Sequence, residues 1–144
     1  MPQVRTYDPK RVSIILGSHI VSGYAEDTFI SIEPNGDGTQ STAGADGEVA
    51  RSLSHNPLNR VTLTLQQTSL SNDALSELLR IDRASGGGGV FPLQIRDLRG
   101  TTVFAASQAW VVQKPTVEFG SEVSEREWNI DCVETDFFVG GNAA

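Results

Sequence analysis

Cysteine is almost missing: Cys132 is the single one in 144 residues. An intrachain disulfide is therefore impossible, and so is a CxxC metal or redox site. Long hydrophobic runs are missing too. The apolar stretches last a few residues, far short of the ~18 a membrane helix needs. The opening MPQVRTYDPKRV has no apolar segment of the secretory kind, so no signal peptide is expected. Histidine is limited to His19 and His55. Neither sits in an HExxH pattern, and there is no GxSxG nucleophile elbow. The four glycines at 86–89 are followed by neither Lys nor a helix start, so they are no phosphate loop. Glu33 to Gly44 looks like a calcium loop through Glu33, Asn35 and Asp37, but Gly44 stands where the bidentate acid is required. No metal and no cofactor is expected.

What is present is enough for one folded domain over 1–144. At this length, roughly 70% of the unfolded surface can be buried without a staple, and a 38% hydrophobic content exceeds that of disordered chains. The net charge is −7, and it is uneven. Residues 1–114 carry 11 acids and 10 bases, whereas 115–144 carry seven acids and the single base Arg126. No basic stripe is left to hold nucleic acid through its phosphates.

Alternation of apolar and polar residues dominates the pattern and predicts strands. They fall at 11–17, 28–33, 61–66, 91–96, 101–112, 117–120 and 127–132. Pro92 cannot donate to a ladder, which places an edge or a bulge there. Asp97 to Gly100 reads as a hairpin turn. In the strand at 101–112 both faces are apolar. Phe104, Ala106, Trp110 and Val112 fall on one side, so burial on both sides is expected. In the last strand Trp128, Ile130 and Cys132 point to the core, with Cys132 as a small hydrophobe.

One helix is expected, capped by Ser71, with Asp73 in its first turn and Arg80 and Arg83 in its last. Ala74, Leu75, Leu78, Leu79 and Ile81 form its apolar stripe, and Gly86 to Gly89 stops it. A polar stretch at about 34–59 is longer than the loops common in compact domains. It reads either as surface disorder or as a segment that orders against another subunit. The residues alone thus point to assembly or binding. A small-ligand-binding β-barrel and a hydrolase using the C-terminal carboxylates are the rival classes.

Six segments in order narrow this reading. TYDPKRV (6–12), ADGEV (45–49), TLQQTSLSNDALS (64–76), FPLQIRD (91–97), EFGSEVSEREW (118–128) and FFVGGN (137–142) resemble the tail tube proteins of contractile-tailed bacteriophages. The resemblance implies a mainly β fold with one helix and two packed antiparallel sheets, a sandwich or barrel that forms rings. It implies six copies per ring, stacked inside a contractile sheath, with the genome passing down the lumen without specific binding. The partners it implies are further copies, the tail sheath protein, a baseplate initiator and a tape-measure protein. On this reading the subunit is no enzyme and does not insert into membranes. It is made in the host bacterial cytoplasm and ends in the virion tail. The 34–59 loop becomes the ring-stacking element, with Asp37, Asp46, Glu48 and Arg51 as its charged residues. Glu127 and Asp131, turned away from the core, become lumen-facing. A secretion-system tube or another tail component is the alternative within the same class.

Overall fold

A computed structural model describes residues 4–26, 28–35 and 38–142. The fold is mainly β. After a 3-10 turn at Pro9–Arg11 come β1 (Val12–Leu16), β2 (His19–Ile20), β3 (Ile30–Pro34), β4 (Thr39–Ala43), β5 (Val49–Leu53) and β6 (Leu58–Gln66). Helix α1 (Ser71–Ser85) follows, then β7 (Phe91–Asp97), β8 (Val103–Gln113) and β9 (Glu125–Phe138). Seven strands make one antiparallel sheet in the order β2-β1-β7-β8-β9-β6-β3, and β4 with β5 makes a second, two-stranded sheet.

The large sheet folds over its own core in a sandwich-like arrangement, without closing into a barrel. The segment after β2 ties its two flanks together. Val21 N–H donates to the Ile14 carbonyl of β1 at 3.0 Å, while Gln66 N–H donates to the Gly23 carbonyl at 2.8 Å and Ala25 N–H to the Thr64 carbonyl at 3.1 Å on β6. Gly23 has φ +73 and lies against Ser69, where a Cβ would overlap the serine side chain. Side chains lock the same tie. The buried Ser71 hydroxyl accepts from Ser22 N–H at 3.0 Å and contacts His19 Nε2 at 2.9 Å, and Ser69 donates to the Ser22 carbonyl.

Ser71 is therefore not the helix cap expected of it. Leu70 holds that position without a side-chain bond. Ser69 supplies the hydroxyl instead, accepting from Ser71 N–H at 3.2 Å. The other helix end is as expected, with Gly86 left-handed at φ 69 and its N–H on the Asp82 carbonyl. Leu75 and Leu79 are buried, Leu78 packs partly against the core, and Ile81 is 43% exposed, so the true stripe is narrower than the apolar pattern.

The core is the inner face of the large sheet: Ile14 and Leu16, Val61, Leu63 and Leu65, Leu93 and Ile95, Phe104, Trp128, Ile130 and Cys132. Burial pushes the Cys132 thiol up to about 12, consistent with an inert packing role. Strand β8 corrects an expectation. Phe104 and Ala106 face the core, but register shifts around Ala106 and Gln108 insert extra residues, and Ala109 and Val111 take over the inward positions. Trp110 and Val112 are thereby turned to the outer face, where they are half-buried. A bulge, rather than cover on both sides, explains the two-faced apolar pattern. Pro92 sits at the irregularity expected of it, between Phe91 and Leu93.

Leu75→Ala should cost about 2–5 kcal/mol, as for a fully buried leucine, and Leu78→Ala clearly less. Chemical denaturation of the two variants checks this. Equal losses would mean that the helix meets the sheet on a different face.

Candidate functional site

Strand β9 presents Glu125, Glu127, Asn129 and Asp131 on the face opposite Trp128, Ile130 and Cys132. Both expected lumen-facing acids thus turn away from the core. Their surroundings differ. Asp131 lies across from Arg60 of β6. Arg60 donates from Nε to Oδ1 at 2.8 Å and from its terminal nitrogen to Oδ2 at 3.3 Å. That bond and the charge of Asp131 hold the guanidinium above its ordinary pKa, with Glu33 on β3 adding to it. Glu127 faces Thr64 and, among the described residues, has no ion-pair partner. It borders an open polar trough of about 430 Å³, whose walls include Gln113, Lys114, Glu125 and Asn129. Glu127 and its neighbour Glu125 are the acids of this face without an ion pair among the described residues, although Lys114 lines the same trough.

The polar stretch at 34–59, expected either as surface disorder or as a segment that orders against another subunit, holds a β-hairpin within the chain itself. Gly44 N–H donates to the Glu48 carbonyl at 2.8 Å and Gly47 N–H to the Gly44 carbonyl at 3.0 Å, with Gly47 at φ +87. Asp46 and Glu48 sit at this tip, and the Asp46 carboxylate accepts from Glu48 N–H at 3.2 Å. Arg51 lies on β5 opposite Ser41. Asp37 lies outside the described residues. Every residue of β4 and β5 is exposed. Ala43, Val49, Arg51 and Leu53 share one face by register. A two-stranded hairpin is marginal in water by itself, and among the described residues this one forms a sheet of its own, apart from the large one.

The expected strand at 117–120 does not form. Residues 114–124 run as an irregular loop, and Arg126 explains its path. Arg126 as a residue is 6% exposed, sharing the inward parity of Trp128 and Ile130. It donates to the carbonyls of Glu118 at 3.1 Å and Glu125 at 3.0 Å and to the Ser124 hydroxyl at 2.7 Å. Phe119 stacks on it, with the ring centroid 5.5 Å from the guanidinium carbon. The loop carbonyls thus satisfy a cation instead of a ladder. The signal was in the sequence, as an arginine at a core position of an alternating strand. Trp128 Nε1 also reaches Asn72 Oδ1 at 2.9 Å, tying β9 to the helix start.

Among the described residues, no nucleophile and base stand together open to substrate. The close His19 and Ser71 pair is a tie between elements, with Ser71 fully buried. The interior is filled by large side chains such as Phe104, Leu63 and Leu75, all 0% exposed, which is a poor match to a ligand-holding barrel. A mainly β body, with one helix and a hairpin that stands apart from the large sheet among the described residues, has the shape of a protein built to assemble.

Comparison with known proteins agrees. Residues 13–140 match the family described as Bacteriophage PhiTE tail tube protein, and the chain belongs to this family of phage tail tube subunits. It is 33% identical over 144 residues to "Structural protein ORF10" of Pseudomonas phage KPP10, a match covering 95% of this chain and 83% of that protein. The fold is similar to a chain in the cryo-EM structure of the anti-feeding prophage cap, a tube-terminating cap, with a TM-score of 0.54 at 10% identity, covering 92% of this chain and 90% of that one.

Replacing Arg126 by Met removes the donor on which the Glu118 and Glu125 carbonyls and the Ser124 hydroxyl depend and should destabilise the protein by about 1.5–3 kcal/mol. It should also open 114–124 to proteases. A loss below ~0.5 kcal/mol, the size usual for surface changes, would contradict the anchoring role.

Proposed function

We propose that this tail tube subunit works as a non-enzymatic building block of stacked hexameric rings inside a contractile sheath. The outer face of β9 lines the lumen, and the β4–β5 hairpin reaches the next ring. The observation that carries the reading is the hairpin, an ordered element with exposed Val49 and Leu53 whose every strand residue is exposed among the described residues. Family membership supplies the tube. Asp46 and Glu48 at the tip and Arg51 on the strand are its polar contacts to the neighbour, and Asp37 belongs to the same stretch.

In the lumen, Glu125 and Glu127 set the charge, and Asp131 contributes less because Arg60 offsets it. Like charge removes the counterion-release attraction that would hold passing DNA. At physiological salt the repulsion reaches roughly 8 Å, so it acts on DNA near the wall. The sheath protein covers the outside, a baseplate initiator starts the stack, and a tape-measure protein occupies the lumen before the genome. The subunit is made in the host bacterial cytoplasm and functions in the virion tail.

Replacing 39–53 with a short Gly-Ser link tests this. The variant should keep its β circular dichroism and its cooperative unfolding, because the hairpin contributes nothing to the core. Electron microscopy should show that it no longer forms the tubes given by the intact chain. Normal tubes from the variant would refute the stacking role.

A further inference from the structure

The hairpin and the 114–124 loop sit at opposite ends of the same strand. Residues at the start of β6 hold the hairpin base, where Asn35 N–H donates to the Leu58 carbonyl at 3.0 Å. Residues at its end hold the loop, where Gln67 N–H donates to the Ser124 carbonyl at 2.9 Å and Ser124 N–H to Gln67 Oε1 at 3.1 Å. Between them runs Leu58–Gln66, about 27 Å of extended chain at ~3.3 Å per residue. Two different surfaces at opposite ends of one molecule suit a head-to-tail contact, which repeats without closing and builds a stack.

The two ends also match chemically. The hairpin face carries Val49 and Leu53, 67% and 59% exposed, on either side of Arg51, which has no ion-pair partner among the described residues. The loop carries Val117, Phe119 and Val123, which are 54%, 80% and 65% exposed, and these alternate with the exposed acids Glu118 and Glu122. Phe119, resting on the buried Arg126, borders a shallow groove of about 350 Å³ whose walls also include Pro115, Val117, Trp128 and Lys114. An apolar strip with one cation thus faces a loop whose exposed apolar side chains, Val117, Phe119 and Val123, stand among the exposed acids Glu118 and Glu122. At the hairpin tip the signs are reversed: Asp46 and Glu48 are the acids, and Lys114 at the foot of the loop is the matching base.

We infer that the 114–124 loop is the docking site for the hairpin of a second copy of this chain in the next layer. The proposal rests on the stacking role given above and adds the receiving surface, with Val49 and Leu53 on Val117 and Phe119 and Arg51 between Glu118 and Glu122. Arg126 is the positioning residue that holds the receiving loop in shape.

The test mixes two full-length variants, Val49→Cys and Phe119→Cys, each with Cys132→Ala so that no other thiol remains. Under assembling conditions, mild oxidation should join one variant to the other, and neither variant alone should form a comparable dimer. Charge exchange gives an independent readout. Arg51→Glu should lose tubes, and combining it with Glu118→Arg and Glu122→Arg should restore them. Circular dichroism confirms that each variant is folded. Normal tubes without the mixed crosslink, or Arg51→Glu tubes without a partner change, would overturn the receiving site and leave the stacking role of the hairpin intact. Failure of the unaltered chain to assemble under any condition would overturn both.

Discussion

Pairing of β9 on both sides is the constraint on which the rest of the structure depends. Its 14 residues, Glu125–Phe138, lie between β6 and β8 in an antiparallel register. Alternation then leaves no freedom. Arg126, Trp128, Ile130 and Cys132 must go inward together, so Glu125, Glu127, Asn129 and Asp131 must go outward together. A slip of one residue would bury three carboxylates and expose a tryptophan. The inward set organises the body: Trp128 reaches the helix through Asn72, and Arg126 shapes the 114–124 loop. The outward set gives the sheet its acidic face.

The energetics divide the molecule into a self-sufficient body and two surfaces that are not. In the body, leucines, phenylalanine and tryptophan reach near-complete burial, and the 19–25 segment ties the flanks of the sheet. At ~25 cal/mol per Å² of apolar surface, the exposed side chains of Val49, Leu53, Val117, Phe119 and Val123 represent stability that the monomer leaves unused. On the proposed stacking contact, assembly recovers it.

Much of the body was legible in the sequence because half-buried strands write their geometry as alternation. β6 and β7 carry the pattern cleanly, and the turn at Asp97 to Gly100 closes as its residues predict, with Gly100 N–H on the Asp97 carbonyl at 3.1 Å. The misreadings share a cause. The bulge in β8 changes the phase of alternation inside one strand, which a period-two reading records as two apolar faces. The hairpin β4–β5 is exposed on both faces, so no hydrophobic pattern marks it. Val117 and Phe119 alternate correctly, yet the nearby Arg126 claims the carbonyl of Glu118 that a ladder would need. Ser71 has the right chemistry for a cap, but tertiary contacts with Ser22 and His19 use its hydroxyl elsewhere. Of the assembly residues, the outward direction of Glu127 and Asp131 was readable from parity, whereas the Arg60 partner that offsets Asp131 depends on which strand lies beside β9.

The central claim is that one face of β9 serves the core and the other the channel. A helical reconstruction of the assembled tube by cryo-electron microscopy, at side-chain resolution, tests it most directly. The account predicts closed rings in which Glu125 and Glu127 project into the lumen, with β9 in the inner wall. A tube in which these side chains face the sheath side, with another strand lining the channel, would contradict it.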